Sequence, residues 1–270
     1  MLYITDLYRV SDKFKKEENQ DACFFALSDL LPSKKSKMLV SCVIDGVSNA
    51  NGKAAAALAT RALHPALTSL IGRAYELCDD DLETRKEKIY ATMRDALLSA
   101  DAYLRAYSKK EGETACTASV AVVLDETVYT CNVGDSPILL LRSNMQGTSH
   151  KLIPLFQCHN SAGLDVARGL MSKEEALSSP AKNDLIRYLG GRTVLDEMQI
   201  FFSHEYLGRD NVLLLGSDGA LSVLSEDELY TMALEGKSSL CDFSKKLYDK
   251  VFATSAKDNF TLVASHLELS

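Results

Sequence analysis

Four aspartates of this chain each lie beside an apolar run that is typical of a buried strand. Asp45 ends MLVSCVID, Asp135 follows VYTCNVG, Asp218 follows NVLLLGS, and Asp258 precedes NFTLVASHL. Strands that end on the same edge of a sheet bring such carboxylates together, and carboxylate oxygens are the ligands that Mg²⁺ and Mn²⁺ prefer. The pattern indicates a site for divalent cations, and therefore chemistry on phosphate groups.

Each of these aspartates, taken singly, is also compatible with an ordinary turn. Asp45-Gly46 and Asp218-Gly219 are Asp-Gly pairs, which are common in turns, and Gly134-Asp135 fits a hairpin. The recurrence weakens that interpretation, because turns accept Asn, Gly or Ser equally well. Carboxylates held close together repel one another unless a cation neutralises them, so the set favours a metal centre. Two ions about 3.5–4 Å apart could clamp a phosphoryl group and activate water.

The elements that must position these residues are predicted from hydrophobic periodicity and from capping and turn signals. We predict strands at 2–10, 22–28, 38–44, 117–124, 127–133, 138–142, 198–203, 211–216 and 259–268, with a further candidate at 150–156. Helices are predicted from Asn51 to about Leu70, with Pro65 as a kink or break, and at 83–108, 173–178, 184–189, 225–234 and 239–252. The strands come in adjacent groups, which favours an α+β fold with antiparallel sheets and outer helix pairs.

Composition excludes several classes of function. The 270 residues are 46% hydrophobic and 25% charged, with a net charge of −7, and they contain no basic block, so nucleic acid is not an expected partner. No apolar stretch approaches the length of a membrane span, and no secretory signal is found. The seven cysteines form no C-x-x-C pair, which argues against a disulfide framework or zinc site. We expect a cytoplasmic monomer that forms a single domain over residues 1–270.

Short motifs along nearly the whole chain resemble those of the metal-dependent type 2C Ser/Thr protein phosphatases, the PPM family. Each motif alone is weak, but their order and spacing together are specific. The matching segments are Asn19-Gln20-Asp21, VIDGVSN at 43–49, ACTASVAVV at 115–123, NVGDSPILLLR at 132–142, NDLIRYLGG at 183–191, LLLGSDGALSVLSEDEL at 213–229 and DNFTLV at 258–263.

The resemblance implies a role for each acidic residue. Asp45 would bridge two Mg²⁺ or Mn²⁺ ions, and the main-chain carbonyl of Gly46 would bind one of them. Asp218 and Asp258 would hold the other ion, while Asp21 would act on the second ion largely through water. A hydroxide bridging the metals would attack phosphorus in line, so that no phosphoenzyme is formed.

The resemblance also implies the architecture and the partners. Asp135 would help Asp218 to bind a third, weaker ion. The fold would be a four-layer α-β-β-α sandwich, with a flap-like segment at about 160–180 beside the site. The substrates would be phosphoproteins, among them the targets of a Ser/Thr kinase.

The first departure from the family pattern concerns the phosphate clamp. Many members carry an Arg five residues before the first-motif Asp, and this chain has Lys16 there. Lysine binds phosphate but lacks the bidentate fork of arginine. Lys16 is therefore a candidate catalytic residue together with Asp45 and Asp218. A solvated loop of charges is one alternative, and another is that the role falls to a neighbouring cation, Lys13, Lys15 or Arg9.

Further departures follow the second motif. Val47-Ser48-Asn49 stands where animal members have His-Gly-Gly and bacterial ones Met-Gly-Gly, and Pro137 and Ala115 replace an Arg and a Gly. None of these changes removes a predicted metal ligand, so a divergent but active phosphatase is the leading hypothesis. A non-catalytic regulatory module of the same fold remains an alternative, as does a phosphatase dedicated to one phosphorylated regulator.

Overall fold

The computed structural model describes residues 1–29, 37–142 and 152–269. Within these ranges the strands are β1 (Leu2–Asp12), β2 (Ala22–Asp29), β3 (Lys37–Ile44), β4 (Ala118–Leu124), β5 (Thr127–Val133), β6 (Ile138–Arg142), β7 (Leu152–Pro154), β8 (Phe201–Tyr206), β9 (Asp210–Gly216) and β10 (Phe260–Leu269). The helices are α1 (Gly52–Gly72), α2 (Ala74–Asp79), α3 (Leu82–Glu111), α4 (Ser161–Ala167), α5 (Lys173–Ser178), α6 (Asp218–Leu221), α7 (Glu226–Gly236) and α8 (Leu240–Phe252). Two short 3₁₀ helices span Pro180–Asn183 and Glu197–Gln199.

The strands form two five-stranded sheets in which every strand pair is antiparallel. One sheet has the order β1-β10-β9-β6-β7 and the other the order β2-β3-β4-β5-β8. The predicted α+β class with antiparallel sheets is therefore confirmed.

Three apolar clusters divide the structure into layers. Leu63 and Leu97 represent the cluster between the helix pair α1/α3 and the second sheet. Val43 and Leu213 represent the cluster between the two sheets, while Leu214 and Leu247 represent the cluster beneath α7 and α8. Alternate residues of β9 thus face opposite cores, as the two-residue period of a strand requires. The layers follow the predicted order α-β-β-α.

The predicted helix at 184–189 is wrong. Leu185 and Leu189 instead form isolated β-bridges with Asn160 and Cys116, and the segment ends at Gly190, whose φ is +80°. The segment is too short for local propensity to decide its conformation, and pairing with neighbouring backbone takes precedence over helical hydrogen bonds.

Pro65 does not break α1, contrary to one of the two predicted outcomes. The helix runs through it from Gly52 to Gly72. The ring removes the partner of the Arg61 carbonyl, but Arg61 is exposed and water can reach that group. Leu63 and Leu67 on either side are fully buried, and their packing maintains the helix.

Other boundaries differ by a few residues or contain additional short elements. The strand predicted at 198–203 is β8 at Phe201–Tyr206, because a 3₁₀ turn precedes it. Of the candidate strand 150–156, residues 150 and 151 lie outside the described residues, and β7 covers Leu152–Pro154. Helix α4 at Ser161–Ala167 is not among the predicted helices. In the described part of the chain, no helix combines the length and apolar character needed to cross a membrane.

Candidate metal and phosphate site

The strand register brings the predicted aspartates to one end of both sheets. β3 ends where β2 and β4 begin, since Ile44 pairs with Ala22 and Val43 with Ser119. In the other sheet β9 ends where β10 begins, with Gly216 opposite Leu262. The predicted aspartates all lie just before or just after the strands at this end: Asp21, Asp45, Asp135, Asp258 and Asp218, which begins α6.

The backbone around Asp45 is fixed by the segment that leads into β4. The Asp45 N–H donates to the Thr117 hydroxyl at 3.2 Å, and the Thr117 N–H donates back to the Asp45 carbonyl at 2.8 Å. The Val47 N–H donates to the Ala115 carbonyl at 2.9 Å. The turn is thus held on both sides of Gly46, which keeps the direction of the Asp45 side chain constant.

Gly46 also makes a close backbone approach to the start of α1. A Cβ atom at Gly46 would overlap the backbone of Gln20 and Gly52, and one at Gly52 would overlap Gly46. Only glycine fits at both positions, so the loop after Asp45 lies directly against the first turn of the helix.

Asp218 and Asp258 are brought together by the pairing of β9 with β10. The Ser217 hydroxyl accepts from the Thr261 N–H at 3.1 Å, and the Ser217 N–H donates to the Thr261 carbonyl at 3.0 Å. Gly219 lies so close to Asp258 and to the Asn259 carbonyl that a Cβ would overlap them. This packing places the two carboxylates on neighbouring chain segments.

Asp135 lies in the short connection between the two sheets. Gly134, with φ of +114°, packs against Thr117 where a side chain would not fit. The Asn160 side-chain amide donates to Asp135 Oδ2 at 3.3 Å. Asn160 is also the N-cap of α4, so the segment predicted as a flap begins at this carboxylate.

Asp21 is buried, and neither of its carboxylate oxygens accepts a geometrically sound hydrogen bond within the described residues. The loop that precedes it is held by Asn259, whose amide donates to the carbonyls of Lys13 and Glu18 and whose oxygen accepts from the Gln20 N–H at 3.0 Å. A buried anion without donors is costly unless a cation or a proton compensates it.

The electrostatics of the cluster are those of several anions in one concave region. Burial raises the pKa of Asp21 to about 6, with Asp218 adding repulsion that nearby hydroxyls partly offset. Burial followed by repulsion from Asp218 raises the pKa of Asp135 to about 7. The pKa of Asp45 is raised well above its usual range by burial and then by the other four aspartates. Burial and Asp258 also raise the pKa of Asp218, against the lowering effect of the Gly219 N–H and Lys16.

Asp45 is half-buried at the end of β3. The residue keeps part of its surface in solvent, yet protein surrounds the carboxylate closely enough to raise its pKa strongly. Water therefore reaches only part of the Asp45 side chain. This is a suitable environment for an ion that retains water ligands.

Lys16 lies at the cluster. Its ammonium is 2.5 Å from Asp258 Oδ1 and donates to the Ser48 hydroxyl at 2.8 Å. The Lys16 side chain is 23% exposed and the Asp258 side chain 43%. Lys16 thus contacts one of the predicted metal ligands, and its role in binding phosphate stays a prediction.

Two geometric observations limit what the cluster can do as it stands. Among the residues described, no three carboxylate, imidazole or thiolate groups surround a single point at ligand distance. Two clefts of the described surface lie around 186–199 and beside the end of α3, and no aspartate of the cluster lines either of them. Ion binding at the cluster would thus require small side-chain rotations that draw the carboxylates together.

Sequence reasoning did not select three residues that support the cluster. Asn259, Asn160 and Ser48 make the contacts described above, and the only signal for them was their position beside predicted ligands. His159 holds the loop that carries Asp135. Its Nδ1 accepts from the Gly134 N–H at 3.1 Å, and its Nε2 lies 3.2 Å from the Gln157 side-chain oxygen.

Comparisons with known proteins agree with this geometry. A family profile described as Protein phosphatase 2C matches residues 13–235. The serine/threonine phosphatase stp of Listeria monocytogenes is 27% identical over 189 residues, which cover 68% of this chain and 70% of the relative. A crystal structure of a bacterial serine phosphatase has a TM-score of 0.75 at 19% identity, over 99% of both chains. The catalytic domain of the serine threonine protein phosphatase PstP, in complex with 2 manganese ions, has a TM-score of 0.68 at 17% identity over 100% of both chains.

Proposed function

Because the chain belongs to the protein phosphatase 2C family, we propose that it hydrolyses phosphoserine and phosphothreonine in proteins with the help of two Mg²⁺ or Mn²⁺ ions. The observation that carries the proposal is the convergence of five aspartates from distant segments, where burial and repulsion raise the pKa of Asp21, Asp45, Asp135 and Asp218. A purely structural role does not account for repelling carboxylates, since each would be better replaced by a neutral group.

The donor set fits such ions in chemical type and charge. All predicted ligands are oxygen atoms, which suit hard divalent cations. Within the described residues, the two buried oxygens of Asp21 accept no geometrically sound hydrogen bond, and a nearby cation or its water would compensate them. In this assignment Asp45 would contribute to both ions, the Gly46 carbonyl and Asp21 would serve one of them, and Asp218 and Asp258 would serve the other.

The residues of this chain would have distinct tasks in the reaction. The bound ions would lower the pKa of a water molecule for attack on phosphorus and would stabilise the charge that develops on the phosphoryl oxygens. Thr117 fixes the backbone of Asp45, and Asn160 orients Asp135. Lys16 would exchange its ion pair with Asp258 for a contact with the substrate phosphate, and Ser48 would keep its ammonium at the mouth of the site.

The test is turnover of a phosphothreonine peptide and of p-nitrophenyl phosphate with Mn²⁺. Asp45→Asn keeps the shape of the side chain but removes the bridging charge, and we expect kcat to fall by about a thousandfold or more. Asp95→Asn, on the exposed face of α3, is the matched control and should leave kcat unchanged. Full activity of Asp45→Asn would refute the assigned bridge.

Calorimetry with Mn²⁺ separates the enzyme from a non-catalytic module. An active phosphatase of this kind binds the ion in the wild type and binds it much more weakly in Asp45→Asn. A wild-type protein that binds no Mn²⁺ at millimolar concentration would favour the regulatory module.

A further inference from the structure

A basic depression lies beside the aspartate cluster and has no part in the chemistry assigned above. It consists of two adjoining clefts that share Gly191 and Arg192. The larger cleft, of about 240 Å³, is formed by the last turns of α3 and the segment after Leu189. We refer to the two together as the basic cleft.

The charge of the basic cleft differs from that of the whole chain. Four cationic side chains line it, against the single carboxylate of Glu113, although the protein carries a net charge of −7. The cations are Arg105, Lys109, Arg187 and Arg192. A local positive region on an acidic protein attracts anionic groups that the remaining surface repels.

Most of this positive charge is available to a ligand. Within the described residues, no ion pair or side-chain hydrogen bond engages the ammonium of Lys109 or the guanidinium of Arg187. Arg192 has a side chain that is 87% exposed and only a long contact of 3.4 Å with Glu113. Arg105 differs, because it donates to the carbonyls of Gly191 and Arg192 and so shapes the wall of the cleft.

The backbone fixes the distance from the basic cleft to the candidate site. Gly46 is bridged to Cys116, and Cys116 is bridged in turn to Leu189. Paired residues on antiparallel segments are about 4.5–5.5 Å apart, so Leu189 lies about 10 Å from the residue next to Asp45. The cleft begins immediately after Leu189. An extended peptide advances about 3.3 Å per residue. In a substrate whose phosphorylated side chain lies at the aspartates, the residues three to five positions away would therefore reach the basic cleft.

We infer that the basic cleft is a docking site for the acidic segment of a phosphoprotein substrate, with Lys109 and Arg192 contacting Asp or Glu side chains three to five residues from the phosphorylated Ser or Thr. The inference rests on the proposed phosphatase function and adds a substrate class to it. Exposed Ile186 also lines the basic cleft and provides apolar contact for the same segment. Charged contacts of this kind act mainly on binding and association, so they determine which substrates are selected and not how fast phosphate is cleaved.

The experiment compares matched phosphothreonine peptides. One carries Glu at the third to fifth positions on the N-terminal side, a second carries Glu on the C-terminal side, and a third carries Gln at all of these positions. For the wild type, kcat/KM for one Glu peptide should exceed that for the Gln peptide by about three- to tenfold at low salt, and the preference should disappear at high salt. Equal kcat/KM for all three peptides would overturn the inference.

A double variant links the preference to the basic cleft. In Lys109→Gln/Arg192→Gln, the Glu preference should be lost, while kcat/KM for the Gln peptide and for p-nitrophenyl phosphate stays at the wild-type value. The matched control is Arg61→Gln/Lys246→Gln, which removes two exposed positive charges from α1 and α8 and should keep the preference. Retention of the preference in the cleft variant would refute this docking site.

Binding without turnover separates this inference from the proposed function. Fluorescence anisotropy of the labelled Glu peptide is measured in excess EDTA, where a metal-dependent reaction cannot proceed. Binding that weakens about three- to tenfold in the cleft variant supports docking even if no substrate is hydrolysed, an outcome that would refute only the phosphatase activity. Equal binding by wild type and cleft variant, together with normal hydrolysis, would refute only the docking site.

Discussion

Lys16 shows how one side chain can serve the candidate site in two ways. Its ammonium pairs with Asp258 and donates to the Ser48 hydroxyl. It would therefore compete with a divalent cation for the carboxylate of Asp258. Lysine is a compact point charge on a flexible stem, and it can move from a carboxylate to a phosphate without rearrangement of the backbone. Two departures from the family pattern are thus in contact, because Ser48 of the Val47-Ser48-Asn49 segment accepts a hydrogen bond from Lys16.

The first prediction concerns Lys16→Met. Removing the competing ion pair should lower the Kd for Mn²⁺ by about two- to tenfold, the size expected of a partly exposed pair. Losing the phosphate contact should raise KM for a phosphothreonine peptide. Calorimetry and steady-state kinetics measure the two effects separately.

The control for Lys16→Met is Lys13→Met, which removes the same charge from an exposed position of the same loop. It should alter neither the Mn²⁺ affinity nor KM. If Lys16→Met behaves like this control in both measurements, Lys16 is only part of a solvated loop.

At the scale of whole elements, two glycines allow the turn after Asp45 to contact α1. Gly46 follows β3 and Gly52 begins α1, and each occupies the space that a Cβ at the other would need. A shift of α1 would therefore move the carbonyl of Gly46, one of the proposed metal ligands.

The second prediction is that Gly52→Ala destabilises the protein, although the same change in an ordinary helix stabilises by about 0.5–1 kcal/mol. The added methyl group must displace the backbone of Gly46, and overpacking of this kind costs about 1–3 kcal/mol. Urea unfolding measures the change. Gly72→Ala, in the last turn of the same helix with no atom near its Cβ position, should be neutral or stabilising, and equal effects at the two positions would contradict the close approach.

How far the sequence predicts each element depends on where its stabilising contacts lie. β3, β9 and β10 are continuous apolar runs, and α3 and α7 carry their own capping residues, Asp81 and Ser225. These elements were predicted within a few residues, except for the unassigned Asp81 cap. The segment at 184–189 was not, because its backbone partners are Cys116, His159 and Asn160, and no local pattern indicates contacts across more than twenty residues.

The same distinction holds for the candidate site. The aspartates could be selected from sequence because each lies beside a strand-like run and within a family motif. Their supporting contacts could not, since Asn259 bonds to the loop at 13–20 from more than 230 residues away. The basic cleft was also missed, because its cations come from α3 and from the segment after Leu189, and neither stretch is basic by itself.

At the scale of the whole molecule, the fold concentrates carboxylates at one end, where Lys16 is the cation that contacts them in the described residues. Five aspartates lie beside the strand ends there, and the protein as a whole is acidic. Without metal, the folded chain has to keep protons on some of these groups or accept their repulsion. Folding, protonation and ion binding are therefore coupled through one site.

The last prediction is that, in EDTA, the free energy of unfolding falls as the pH rises from about 6.5 to about 8. The pKa of Asp135 is raised to about 7 and that of Asp45 well above its usual range. The folded state thus binds more protons than the unfolded state, whose carboxyls have already ionised near pH 4, and stability declines with pH. His159 opposes this decline slightly, because burial lowers its pKa to about 4 in the folded state while the unfolded chain still holds part of a proton on it near pH 6.5 and releases it as the pH rises. One proton of difference over this interval corresponds to about 2 kcal/mol.

Urea unfolding followed by circular dichroism measures this decline, since the chain contains no tryptophan. A single transition is expected if residues 1–270 form one domain. Mn²⁺ at about a hundred times its Kd should add about 2.7 kcal/mol at pH 8, because it replaces the lost protons as the compensating charge. Asp45→Asn should show both a weaker decline in EDTA and a smaller gain with Mn²⁺. Stability that rises with pH in EDTA, or that is unaffected by Mn²⁺, would mean that these carboxylates are compensated by the protein itself and are not waiting for an ion.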